Sequence, residues 1–165
     1  MIGRIFGIAL IFLLIASTLA FAGLTSQNQA LAWDGKTWHV DDDLQDYPDA
    51  DFAKIQDAVN AAGARDTIIV YPGTYTENVN VNKSLTIQPE NGSANCTIEA
   101  QNPNDHVFEI SANDVTIEGF TVTGATGGDC AGIYASHASN LNIIGNNTPS
   151  NYNGIYLENV GTAAV

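Results

Sequence analysis

Cations are scarce in this chain. Its 165 residues hold five Lys and Arg against 18 Asp and Glu, a formal net charge of −13 and a sequence pI near 4.1. Arg4 precedes a long apolar run; the others are Lys36, Lys54, Arg65 and Lys83, and none follows Lys83. Binding a phosphate backbone needs Lys and Arg to release its counterions, so nucleic acid is excluded as a partner. Docking on anionic lipid is disfavoured for the same reason. Histidine is nearly as rare. His39, His106 and His137 show no i,i+2 or i,i+4 pairing, so no copper ligand set is visible. Cysteine occurs twice, as Cys96 and Cys130. No His is near either in sequence, which argues against a thiol catalyst. Two readings stay open: a disulfide, if the fold brings their Cα atoms together, or two buried small side chains. Low charge is not disorder here. Charged residues make up 14% and hydrophobic ones 45%, enough to build a core.

Apolar character is concentrated once, at the start. Arg4 followed by Ile5–Ala16 and the small-x-small stretch Ala20-Phe-Ala22 reads as a secretory signal over residues 1–22, with an alternative cleavage after Ala32. The competing reading is an uncleaved anchor, the one route by which this chain would touch a membrane. Either way the remainder is expected outside the cytoplasm: secreted, on the cell surface or in a periplasm. Residues 23–37 form a linker and residues 38–165 one domain.

Within that domain Asp51–Ala62 carries Phe52, Ile55, Val59 and Ala62 on one helical face, with Gly63 as a stop signal. After it come short strand-like runs split by Gly, Asn and Pro: Thr67–Tyr71, Thr74–Val81, Leu85–Gln88, Thr97–Glu99, Val107–Ile110, Val115–Glu118, Phe120–Thr123, Ile133–Ala135, Leu141–Ile144 and Ile155–Leu157. These runs repeat. Asn113–Gly119 aligns with Ser139–Gly145 at a shift of 26, Lys83–Gln88 with Asn113–Glu118 at 30, and Gly132-Ile-Tyr134 with Gly154-Ile-Tyr156 at 22. Strand-rich repeats of this length indicate a solenoid. Their unequal spacing suits a parallel β-helix, whose turns absorb insertions while strands stay in register.

The expected fold is all-β: a right-handed parallel β-helix of about four coils with an N-terminal amphipathic capping helix. Leu85 and Ile87, Val115 and Ile117, and Leu141 and Ile143 would point inward and stack at a spacing of about 4.8 Å. The helix would cover the open first coil through Phe52, Ile55 and Val59. No matching cap follows the last repeat. The chain is therefore expected to be truncated, with further coils or another domain covering that end.

Trp38–Asp43, Asp51–Val59 and Asp66–Val79 resemble the opening of right-handed β-helix proteins, the group that includes NosD-like (CASH-domain) repeat proteins common on archaeal cell surfaces. The helix and the Tyr-Pro-Gly-Thr-Tyr segment also look like the start of pectin methylesterases. One departure is Arg65, where such sequences usually have Gly. The resemblance implies a surface module with an envelope-structural, adhesive or carbohydrate-binding role, and polysaccharide or envelope components as partners. The alternatives it implies are the N-terminal part of a polysaccharide lyase or carbohydrate esterase, or a periplasmic NosD-like helper of metal insertion. Lyases and methylesterases of this kind need Arg or Lys among the coils, and this chain has none after Lys83. Paired-carboxylate hydrolysis wants groups about 5–9.5 Å apart. Asp114 and Glu118, on one outward face, would lie about 13 Å apart along a strand, leaving Asp129 or Glu109 as partners only through twist or loops. No complete catalytic constellation is legible, and the reading leans away from an enzyme.

The best binding candidates are Tyr134 and Tyr156. If Ile133 and Ile155 face inward, these tyrosines face outward and stack, with Asn142, Asn151 and Asn153 expected beside them. Rings and amides suit neutral sugars; the simpler reading is that outward Tyr favours strands. The 17 Asn residues have a structural reading too, as turn formers and ladders between coils. Four sequons, at Asn82, Asn91, Asn95 and Asn146, are candidate N-glycosylation sites. Asp41, Asp42, Asp43, Asp46, Asp49 and Asp51 form an acidic segment without the EF-hand pattern. It reads first as a solvated stretch before the helix, with Ca²⁺ binding as the alternative.

Overall fold

The structure is a computed structural model that describes residues 35–92 and 95–165. The chain divides into two units, 1–32 and 33–165, and the described residues belong to the second. The expected signal sequence, its candidate cleavage sites and nearly all of the expected linker lie outside them. Among the described residues no helix is long and apolar enough to cross a membrane.

Three parallel sheets wind through the chain in turn. Sheet A takes β1 (Thr37–Val40), β2 (Asp66–Val70), β5 (Leu85–Pro89), β8 (Thr116–Glu118), β11 (Leu141–Ile144) and β13 (Ala163–Ala164), in that order. Sheet B takes β3 (Gly73–Thr76), β6 (Cys96–Glu99) and β9 (Thr121–Thr123). Sheet C takes β4 (Val79–Val81), β7 (Phe108–Ile110), β10 (Ala131–Ser136) and β12 (Asn153–Glu158). A strand from each sheet makes one coil, so β2 to β12 form four coils, the fourth crossing sheet B only by the bridge of Asn147 to Thr121. This is the expected parallel β-helix.

The repeat shifts are the strand registers. Ile87 pairs with Ile117 and Ile117 with Ile143, at shifts of 30 and 26. Ile133 pairs with Ile155, and Tyr134 with Tyr156, at a shift of 22. The inward residues Leu85, Ile87, Val115, Ile117, Leu141 and Ile143 are all buried in one core with Phe108 and Phe120. Stacked like residues let each coil bury its apolar face on its neighbours, as a solenoid must.

Asparagine does the polar equivalent at the corners. Asn146 accepts from the Phe120 amide at 3.0 Å and donates to the Ile117 carbonyl at 2.8 Å. Asn151 repeats this on Ala125 and Val122 at 2.9 and 2.8 Å. Each side-chain amide thus satisfies backbone groups of the preceding coil that a corner would leave unpaired.

The N-terminal end differs from expectation in three ways. An additional strand, β1, extends sheet A beyond β2. The helix α1 runs Ile55–Ala61 only, and Phe52 lies before it in a parallel bridge to Val40, half-buried against the Trp38 ring at 5.5 Å. The cap face is therefore Ile55, Ala58 and Val59, packed over β1, β2 and β4. Thr74–Val81 is also not one strand. It turns at Glu77, because that carboxylate folds inward to α1, accepting from the Ile55 and Gln56 amides at 2.9 and 3.0 Å. Lys54, at the N-cap position, makes no side-chain cap. Lys83 serves the other end, donating to the Val59, Asn60 and Ala62 carbonyls at 2.9 Å each.

Arg65 sits at φ +72°, where glycine is favoured, and Asp114 and Asn140 take φ +56° and +57° at the matching places before β8 and β11. The departure at Arg65 thus falls on a left-handed turn that recurs along the solenoid.

Candidate functional site

Sheet C presents the aromatic face. Alternation along β10 and β12 buries Ile133 and Ala135 and turns Tyr134 outward, in register with Tyr156. The ring centroids lie 5.6 Å apart at 40°, close to the strand spacing. A third ring joins them: His106, just before β7, stacks on Tyr134 at 4.1 Å and 13°. The Ala131 amide donates to His106 Nδ1 at 2.9 Å, which leaves the proton of the neutral ring on Nε2 and fixes the ring plane. Tyr134 is fixed in turn, its hydroxyl donating to Glu158 Oε2 at 2.6 Å. That hydrogen bond holds the Tyr134 hydroxyl above its ordinary pKa.

These rings line a cleft of about 590 Å³ with Asp129, Tyr152, Asn153 and Glu158. Tyr152 and Tyr156 are 60% and 42% exposed, two of the few large apolar side chains so open to solvent. The cleft therefore combines aromatic faces with an amide, two carboxylates and an imidazole N–H. Such a surface pairs apolar ring faces with hydrogen-bonding groups at their edges.

Of the residues read from sequence, Tyr134, Tyr156 and Asn153 come together here. Asn142 does not. It lies on β11 in sheet A, paired with Thr116, and lines a separate cleft of about 420 Å³ with Asp114 and Asn140. Asn151 borders the tyrosines in sequence but spends its amide on the preceding coil. Asp129 belongs to the tyrosine cleft, and Glu109 is in register with Tyr134. His106, Tyr152 and Glu158 were not anticipated. Aligning Phe108 with Ile133 would have found His106, two residues upstream of β7.

Cys96 and Cys130 are both free and buried, so the pairing held open by the sequence is not made. Cys96 belongs to β6 on sheet B, whereas Cys130 precedes β10 on sheet C. Their thiols face the carbonyls of Tyr71 and Gly128, each at 3.7 Å. Burial, then the nearby Asp42 charge, pushes the Cys96 thiol up to about 12.

Three of the four sequon asparagines, Asn82, Asn91 and Asn95, have exposed side chains. Asn146 is half-buried, with both ends of its amide engaged. The acidic segment splits similarly. Asp51 accepts from the His39 amide at 2.9 Å, while Asp41, Asp42 and Asp43 each offer an oxygen within 4.8 Å of the others.

Comparison with known proteins agrees with this architecture. No protein-family model matches the chain. A cell surface glycoprotein of Methanothermus fervidus is 43% identical over 102 residues, covering 61% of this chain and 16% of that protein. The chain thus matches only about a sixth of that relative's length. A crystal structure of pectin methylesterase in complex with a hexasaccharide superposes with a TM-score of 0.52 at 15% identity, covering 73% of this chain and 45% of that one. A mutant of pectin methylesterase with another hexasaccharide gives 0.51 at 15% identity, over 74% and 48%. At that identity the likeness is one of fold.

Proposed function

We propose that this chain is a β-helix module of a cell-surface protein, with an envelope-structural or adhesive role, and that its sheet C face contacts neutral carbohydrate. The observation that carries the binding reading is the in-register Tyr134–Tyr156 pair bordering an open cleft. Sugar rings present C–H faces to aromatic planes and hydroxyls to the groups around them. Asn153, Asp129 and Glu158 supply those groups. The surface location is supported by the glycoprotein relative and by the secretory signal read at the N-terminus. An array of neutral oligosaccharides, probed with the protein and with the Tyr134→Ala/Tyr156→Ala variant, tests the reading. Retention by the parent and loss in the variant are expected.

The same reading assigns glycan attachment to Asn82, Asn91 and Asn95 and withholds it from Asn146. A glycan on Asn146 Nδ2 would disturb the hydrogen bonds to Ile117 and Phe120 that tie two coils together. Glycopeptide mapping of protein from its native host tests this: the Asn146 peptide is expected to be unmodified.

A further inference from the structure

Asp41, Asp42 and Asp43 follow β1 and lead into the loop that returns to α1. Asp42 and Asp43 are exposed, but Asp41 is only 1% exposed. Its Oδ2 is the buried side-chain oxygen or nitrogen, among the described residues, that has no hydrogen-bond partner. A buried carboxylate oxygen without a donor is costly, and two further carboxylates beside it add like-charge repulsion. Backbone amides of Tyr47 and Leu44 reach the Asp41 carboxyl, yet its Oδ2 is left without a donor beside two carboxylates of its own sign.

We infer that Asp41, Asp42 and Asp43 hold a calcium-type divalent cation that clamps the end of β1 to the first coil. The donors are all carboxylate oxygens, with no His or Cys in the group, which selects a hard cation. The three oxygens lie within 4.8 Å of one another, so one ion can reach all of them. Ca²⁺ accepts such an irregular carboxylate set more readily than Mg²⁺, which demands a near-ideal octahedron. Backbone carbonyls and water complete the shell that Ca²⁺ ordinarily takes.

The position gives the ion a structural role. The Thr74 amide donates to Asp42 Oδ2 at 2.9 Å, and a Cβ at Gly73 would come within 2.6 Å of that carboxyl. The Asp41 amide donates to the Phe52 carbonyl at 3.0 Å, and Tyr47 of the same loop stacks on Tyr71 at 3.7 Å. Three carboxylates bound to one ion would therefore join the loop, the end of β1 and the corner between β2 and β3.

Thermal unfolding of the whole chain with CaCl₂ and after EDTA, at matched ionic strength, tests the site. At 10 mM Ca²⁺ the midpoint is expected to rise by on the order of 5 °C, as for an extracellular site of about millimolar affinity. MgCl₂ should give a smaller rise. Asp41→Asn should abolish the Ca²⁺ response and melt no lower than the parent in EDTA, because the unpaired charge is gone. Asp43→Asn, at an exposed position, provides a variant certain to test the cluster without disturbing the core, and should also lose most of the response. No midpoint shift with Ca²⁺, or an undiminished shift in both variants, overturns the inference. Calorimetric titration of Ca²⁺ into the same three proteins distinguishes binding from a general salt effect.

Discussion

Glu77 and Lys83 grip opposite ends of the same helix. The carboxylate of Glu77 accepts from the first amides of α1, and the ammonium of Lys83 donates to its last carbonyls. Each charge opposes the helix dipole at its end and satisfies backbone groups that a seven-residue helix cannot pair internally. The cap over the solenoid is thus fastened by two charges of the first coil. Glu77→Ala should destabilise the fold by about 2 kcal/mol and Lys83→Met by about 1–2 kcal/mol. Chemical denaturation of the single and double variants checks this. Faster hydrogen exchange in Ile55–Ala61 than in β8 or β11 would place the loss at the cap.

The solenoid was legible because stacking forces repetition. An inward position must be apolar in every coil, so Ile87, Ile117 and Ile143 betray their register by spacing alone. The cap was less legible. β1 has no repeat to announce it, and of its four residues only Val40 is buried. Glu77 and Lys83 act 21 to 24 positions from their partners, with no local motif to mark them. The same limit misplaced Asn142. Alternation tells inward from outward, but three sheets share the outward positions, and only pairing shows that Asn142 is on sheet A and Tyr156 on sheet C.

Arg65 occupies a left-handed turn without being glycine. Its side chain is exposed, and nothing prevents the backbone from keeping φ +72° once the side chain is removed. Arg65→Gly should stabilise the protein by about 0.5–1 kcal/mol, the strain relieved exceeding the entropy lost. Equilibrium unfolding in urea measures it.

Two buried carboxylates should give opposite pH signatures. Burial alone would raise the pKa of Asp66. The Trp38 indole at 2.9 Å, the Gly63 and Lys36 amides at 2.8 Å each and the Lys36 charge outweigh it and leave Asp66 below its ordinary value of 3.8. A lowered folded pKa means stability present above the ordinary carboxylate range and lost as pH falls through the lowered value. Asp41 is raised, so it costs stability at neutral pH and returns it as pH falls through the raised value. Asp66→Ala should therefore lose about 2–3 kcal/mol at pH 7 and less at pH 3. In EDTA, Asp41→Asn should gain on the parent at pH 7, and the gain should shrink as the pH falls, because burial raises the carboxyl it removes. Unfolding series from pH 7 to 3 on both variants check the two signs.

The cysteines are expected to behave as core residues. Unfolded under non-reducing conditions, the protein should show two thiols per chain by colorimetric titration, and folded it should react slowly at both. Burial raises both thiols, with Asp42 adding to the effect at Cys96 and Asp105 and Asp129 at Cys130. The thiolate, the reactive form, is thereby disfavoured.

The central claim concerns the aromatic face of sheet C. Its most direct measurement is the affinity of the purified chain for the neutral oligosaccharides that it retains on an array, compared with Tyr134→Ala and Tyr156→Ala. Tyr156 is exposed and Tyr134 half-buried on the same strip, so both variants should stay folded, with Tyr134→Ala melting somewhat lower, while affinity falls by at least about tenfold in each. Folded variants that bind as tightly as the parent, or a parent that retains no neutral glycan, would contradict the account.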